Sequence, residues 1–169
     1  MDITIEELQL ADARNLFEFE IVNREYFEAM VPSRGDGFYN YECFIEKLGS
    51  LLQEQTQGLS SFFLIKNSDG LILGRINIVD IDQFQSLGSI GYRVGKDQAG
   101  KGIAQKALKL LIEEMRNQGI KQILAKTTSN NIASQRILEK NGFKKTATSE
   151  EEMMMNGQSL KFVHYKRLI

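Results

Sequence analysis

Two short segments hold residue types at spacings that could do chemistry. The first, GKDQAGKG from Gly95 to Gly102, meets the nucleotide-phosphate pattern G-x-x-x-x-G-K-[ST] at every fixed position except the last. The second, Asn131-Ile-Ala-Ser134, sets an amide and a hydroxyl three residues apart, on one face of any helix that contains them. A nucleotide hydrolase needs the hydroxyl after the loop lysine to hold Mg²⁺, and Gly102 stands there instead. The aspartate sharing that metal should end a later apolar strand, yet IKQILAKT ends in threonines. The metal-dependent reading is therefore set aside. What survives is metal-free: Gly100 and Gly102 strip side chains from the mouth of a helix, baring backbone N–H groups to a pyrophosphate at the positive end of the helix dipole. A tight strand-to-helix turn would ask for the same glycines. Taken alone, Asn131 reads equally as a helix cap and Ser134 as a surface position.

The elements that must position these segments follow from periodicity. Leu16, Phe19, Val22 and Tyr26 recur at helical spacing, the PSRGDG stretch around Pro32 interrupts, and Tyr41, Phe44, Ile45, Leu48 and Leu52 form a second stripe, so two helices open the domain. SFFLIK, LILGRINIVDI and SLGSIGYRV then read as three antiparallel strands. IAQKALKLLIEEMRNQ carries the stripe Ala104, Ala107, Leu108, Leu111 and Met115, and the strand IKQILAKT follows it. A strand, helix, strand succession of this length predicts that the strand ending at Val94 and the one starting near Ile120 run parallel. NNIASQRILEKNGF reads as a short helix with Gly142 placed to end it. KKTATSEEEMMM and QSLKFVHYKRLI flank Asn156-Gly157, a strong hairpin signal. The fold class is α/β, a single domain over residues 1–169 with a mixed sheet.

Composition narrows the function. A make-up of 42% hydrophobic and 25% charged residues in 169 is that of an ordinary globular domain. A net charge of −1 gives no bulk attraction to nucleic acid or an anionic membrane, so neither is an expected partner. One cysteine, Cys43, and one histidine, His164, exclude an internal disulfide and leave no cluster of metal-ligand spacing; a metal-free, cytoplasmic chain is expected. No basic leader opens the sequence and no apolar run approaches the roughly 18 residues of a membrane span. Cys43 sits within a helical pattern with no histidine at a recognisable spacing and reads as structural. The Met153 to Met155 run suits strand packing or a homodimer contact.

The strand GYRV, the loop AGKGIA opening a helix, a further strand, and the N-x-x-S helix ending in E-K-N-G-F together resemble the GNAT superfamily of acetyl-coenzyme A dependent N-acetyltransferases. VNREYFEAMVP and the ending N-G-x-x-x-x-x-x-x-Y make the chain similar to the branch that acetylates ribosomal-protein N-termini. The resemblance implies a splayed mixed sheet of six to seven strands flanked by helices. It implies that Ala99, Gly100, Lys101, Gly102, Ile103 and Ala104 take the coenzyme A pyrophosphate, and that Tyr92, Arg93 and Val94 pair with the pantetheine arm. Asn131 matches the position contacting that arm, and Ser134 the one near the sulfur. Lys101, Lys106, Arg136 and Lys140 are candidates for the outer phosphates. The chain departs from the family at three places. Ala99 takes the usual Gln or Arg position, with Gln98 one residue off; Leu138 replaces a tyrosine acid; Lys161 and Phe162 replace an Asp-His pair.

The implied reaction is direct transfer of acetyl from acetyl-CoA to a primary amine, without metal. A protein α-amine with a pKa of roughly 8 is partly neutral near pH 7.5, whereas a lysine near ~10.4 is almost fully charged, so an N-terminus asks less of a base. Ser134 is expected to assist the thiolate, and Tyr92 and Asp80 are candidates for proton transfer, with Asp82 and Glu28 as further carboxylates. A polyamine or other small amine is the alternative acceptor, drawn by Glu25, Glu28 and Asp36 around the first loop. A catalytically silent coenzyme A binder is the alternative from outside enzymology.

Overall fold

The chain opens on a strand that its composition disguises. In the computed structural model, which describes residues 1–169, β1 (Ile3–Glu7) pairs antiparallel with β2 (Ser61–Asn67), turning Ile3 and Ile5 inward and Glu6 and Glu7 to solvent. Sequence periodicity begins the fold with a helix instead, because five residues with two alternate isoleucines are too short a pattern to register.

The first expected helix is two. α1 (Ala13–Val22) and α2 (Arg24–Glu28) part at Asn23, which is buried. The Asn23 amide Nδ2 donates to Phe19 O at 2.9 Å, and its Oδ1 accepts from Lys96 N at 2.8 Å. Such side-chain bonds to the backbone compete with the helix ladder and end it. The break also rotates the buried face: it is Ala13, Leu16, Phe17 and Glu20, whereas Val22, expected in the stripe, is 79% exposed. α3 (Tyr41–Thr56) follows its predicted stripe, with Phe44 and Leu48 buried and Asn40 capping it through Cys43 N.

β3 (Ile72–Asp82) and β4 (Leu87–Val94) extend the antiparallel run. α4 (Ile103–Asn117) then crosses to β5 (Gln122–Thr128), which lies parallel to β4 as predicted. α5 (Ile132–Lys140), β6 (Lys144–Thr148), β7 (Met153–Met155), β8 (Gln158–Leu160) and β9 (Phe162–Leu168) complete the chain. The main sheet has seven strands in the order β1-β2-β3-β4-β5-β9-β6, and β7 and β8 form a separate ribbon. The expected long hairpin is thus split. Asn156 and Gly157 make its turn at φ 51° and 77°, but near its base Ser149 Oγ accepts from Phe162 N and interrupts the ladder.

Two apolar layers hold the sheet. Ile76, Ile78, Leu108, Leu111, Met115, Ile123 and Leu138 pack on the α4 face, and Leu16, Phe17, Phe44, Leu48, Phe62 and Leu64 pack under α1 and α3. Burying each such side chain is worth about 1.5–3 kcal/mol, which makes the sheet a stiff platform. The feature that matters for function is where the platform opens. β4 and β5 pair only from Leu87↔Gln122 to Ile90↔Ala125; beyond, Gly91 to Val94 and Lys126 to Thr128 diverge.

Candidate active site

The divergence of β4 and β5 leaves a cleft of about 510 Å³. Four elements wall it: the end of β4, the mouth of α4, the first turns of α5, and α2 with the chain that follows it. Among the expected cofactor residues, Tyr92, Arg93, Val94, Ala99, Gly100, Gly102, Ile103, Ala104, Asn131 and Ser134 all line it. Lys101 does not; it is exposed beside the loop.

At the α4 end, Gly102 is the helix N-cap in the left-handed region, φ 74°, and no side chain caps the helix. Gly100 has φ 75°. A Cβ added at either glycine would meet nothing within 4 Å, so the need for glycine is conformational, and the space over the loop stays open. The N–H groups of Gly102 to Gln105 make no hydrogen bond within the protein. Free donors at the positive end of a 15-residue helix fit a pyrophosphate. Arg136 and Lys140 of α5 line the same cleft, whereas Lys106, grouped with them in sequence, donates to Met1 O at 2.8 Å and anchors the start of the chain. Gln98 also lines the cleft, with its side-chain Oε1 buried and without a hydrogen-bond partner.

At the middle of the cleft, Tyr92 Oη and Ser134 Oγ are 3.0 Å apart. Burial raises the Tyr92 pKa above the ordinary tyrosine value, and the Ser134 bond offsets this only in part, so the phenol is protonated at neutral pH. Asn131 Oδ1 caps α5 by accepting from Ser134 N at 3.2 Å, while its Nδ2 makes no bond within the protein. Cap and cleft roles therefore coexist in one side chain. Leu138, at the position of the family's tyrosine acid, is buried in the α4-side core.

The carboxylates considered from sequence lie elsewhere. Asp80 sits at φ 53° in the bulge where the β3–β4 register shifts, opposite the start of β4, whereas Tyr92 pairs with Ile76 four residues earlier on β3. It does not line the cleft. Asp82 accepts from Phe84 N and Gln85 N in the adjoining turn. Glu28 and Asp36 both bind Arg24, at 3.0 and 2.5 Å, and Glu25 faces a separate shallow depression beside Asn156. No aspartate or glutamate lines the cleft. His164 pairs with Lys126 on β5, and Cys43 is exposed on α3. Met155 is buried and Met154 is 70% exposed.

Sequence reasoning missed a buried charge cluster on the other face of β4. Glu20, fully buried, accepts from Arg75 Nη1 at 2.8 Å and from Arg93 Nη2 at 2.6 Å on both oxygens. Arg93 also lies 4.4 Å over the Phe27 ring. Arg34 lies outside this buried group, exposed in the segment after α2, where its guanidinium stacks 4.9 Å from the Phe38 ring. Glu20 falls at the i+7 position of the Ala13, Leu16, Phe17 stripe, and a carboxylate on an apolar face is the signal that a buried cation must meet it.

Comparison with known proteins agrees with this architecture. The family described as Acetyltransferase (GNAT) domain matches residues 2–144. A protein of Bacillus subtilis (strain 168) named "Probable N-acetyltransferase YjcK" is 25% identical over 158 residues, 92% of this chain and 87% of that one. Among solved structures, the ribosomal-protein-S5-alanine acetyltransferase from Vibrio fischeri superposes with a TM-score of 0.91 at 22% identity, covering 99% of this chain and 93% of that one. RimL, the ribosomal L7/L12 alpha-N-protein acetyltransferase solved in complex with coenzyme A, gives 0.90 at 17% identity, covering 99% and 94%. With most of its length matched by the family and its sheet opened between β4 and β5, the chain belongs to the GNAT family of N-acetyltransferases, which use acetyl-CoA.

Proposed function

We propose that this protein moves the acetyl group of acetyl-CoA onto a protein N-terminal α-amine by direct attack. The observation that carries the reading is a single cleft joining the free N–H groups of α4 to the hydrogen-bonded pair Tyr92 and Ser134.

Acetyl-CoA, when bound, supplies an activated acetyl thioester. The N–H groups of Gly102 to Gln105 hold its pyrophosphate, with Arg136 and Lys140 beside them. The diverging backbone of Gly91 to Val94 offers a strand edge to the amide-bearing arm, and Asn131 Nδ2 offers a donor. Tyr92 holds a proton at Oη and shares it with Ser134 Oγ, so the pair can deliver a proton to the departing sulfur. On this reading Tyr92 serves as the acid that many relatives carry where Leu138 stands here.

The acceptor follows from what the cleft lacks. Without a lining carboxylate, the amine must arrive neutral or lose its proton to water. An α-amine at roughly 8 meets that condition; a polyamine near ~10.4 does not, and it finds no anion to receive its charge. The acidic residues that favoured a polyamine are bound to Arg24 or face away. The names of the structural neighbours, which act on ribosomal-protein alanine and L7/L12 α-amines, support the same acceptor class. The deciding experiment is an acceptor screen by coenzyme A release. Turnover with Ala- or Ser-initiated peptides is expected, and turnover with spermidine but no peptide overturns the assignment.

A further inference from the structure

The end of α2 lacks the donors that a longer helix would give it. Glu28 O would accept from the N–H four residues on, but that residue is Pro32 and has none, and Ala29 O receives no backbone N–H either. Both carbonyls are met from the far end of the chain. Asn156 Nδ2 donates to Ala29 O at 3.0 Å and to Glu28 O at 3.4 Å. Asn156 also opens the tight turn of the β7–β8 ribbon at φ 51°, a conformation that glycine would adopt as readily, so the turn by itself does not require the amide.

The ribbon pairs with no strand of the main sheet, yet its base is pinned beside α5. Ser129 N donates to Lys161 O at 2.8 Å, Lys161 N to Ser129 Oγ at 3.1 Å, and Asn130 Nδ2 to Gln158 Oε1 at 3.4 Å. The next residue, Asn131, caps α5, whose first turn carries Ser134. The ribbon therefore runs from the start of one cleft wall to the end of another. Ala29 and Glu28 meet Asn156 in the shallow depression outside, while Tyr26, Phe27, Met30 and Val31 on either side of them line the cleft.

When acetyl-CoA occupies the end of β4, the mouth of α4 and the first turn of α5, the α2 wall is the one left for the acceptor. We infer that Asn156 is a positioning residue for the acceptor, holding the segment from Tyr26 to Val31 in place by supplying the donor that Pro32 removes. A helix of five residues has too few bonds of its own to fix that wall. The inference rests on the acetyl-transfer reading above and adds to it a residue remote from the reacting atoms.

The test uses the full chain with Asn156→Gly, which keeps the turn and loses the donor, and Asn156→Asp, which suits the turn but sets an acceptor against two carbonyls. Hydrogen exchange is read at the amides of Ala29, Met30 and Val31, which bond to Glu25 O and Phe27 O. Beside it, kcat and acceptor KM are measured with a Ser-initiated peptide, and coenzyme A affinity by calorimetry. In both variants the three amides should exchange about tenfold faster and acceptor KM should rise about five- to tenfold, as the loss of one or two hydrogen bonds would give. Both kcat and coenzyme A affinity should stay within about twofold, with the melting temperature confirming that each variant is folded. Unchanged exchange overturns the latch. Faster exchange with an unchanged KM, or with an equal loss of coenzyme A affinity, overturns the acceptor role. A wild-type protein inactive toward every α-amine peptide overturns the acetyl-transfer reading instead, and the exchange rates then decide the latch by themselves.

Discussion

Tyr92 Oη lies 3.0 Å from Ser134 Oγ, so a strand and a helix 42 residues apart in sequence meet across the opening between β4 and β5. If the pair moves one proton to the leaving sulfur, Ser134→Ala and Tyr92→Phe should each lower kcat about 10- to 100-fold, toward the low end of general-acid effects, with little change in coenzyme A affinity. Because they act as a unit, the double variant should be hardly worse than Tyr92→Phe alone. Steady-state kinetics beside calorimetric binding checks this. An unchanged rate in Ser134→Ala removes the serine from the mechanism.

The same pair sets a pH profile. Burial raises the Tyr92 pKa above the ordinary tyrosine value, and the acid works only while protonated, so activity should hold to alkaline pH and fall only above pH 10. The rise on the acid side should track the acceptor's α-amine near ~8. Tyr92→Phe should lose the alkaline fall. A wild-type decline centred below pH 9 would contradict the assignment.

Gly102→Val should raise the dissociation constant of coenzyme A more than about tenfold, because a β-branched side chain at φ 74° strains the cap and covers the free N–H groups. The backbone penalty alone is about 1–2 kcal/mol, visible in thermal melting. Gly102→Ala should do less. Undiminished affinity in the valine variant would sink the pyrophosphate site.

Replacing Glu20 leaves Arg75 and Arg93 buried without their anion. Glu20→Gln should cost about 3–5 kcal/mol in urea unfolding, the usual result of breaking a buried pair on one side. The predicted loss exceeds that for Glu28→Gln, whose partner Arg24 is about one-third exposed.

Tyr165 of β9 gives a separate stability signature. Its hydroxyl donates to Glu139 at 3.0 Å, and burial, then that bond, pushes its pKa up to about 12 from 10. The folded state keeps the phenol neutral while the unfolded chain ionises first, so this contribution is complete below pH 10 and is lost as pH rises through about 12. Tyr165→Phe should flatten the fall of melting temperature across that window.

Much of the fold was legible because it is written in short-range pattern. Gly100, Gly102 and the Ala107, Leu108, Leu111 stripe announce a loop and helix within a dozen residues, and the crossover to β5 follows from chain length. The glycine loop and Asn131 with Ser134 were visible as candidates for the same reason. What escaped depends on distant partners. Glu20 meets Arg75 and Arg93 from 55 and 73 residues away, and no periodicity links them. Val22 and Tyr26 were misplaced on one stripe because Asn23 ends the helix through a tertiary bond to Lys96. β1 was missed because an edge strand of five residues has only two apolar positions to show.

Asn23 ties two distant parts of the chain together. Its amide donates to the end of α1 and accepts from the chain just past β4, and a Cβ on Gly95 would come within 3.2 Å of it. Aspartate could accept but not donate, and leucine could do neither. One small amide and one bare glycine therefore join the break between α1 and α2 to the entry of the glycine loop. The first glycine of GKDQAGKG is thus kept bare by Asn23, and a side chain there would press the end of α1 away from the glycine loop.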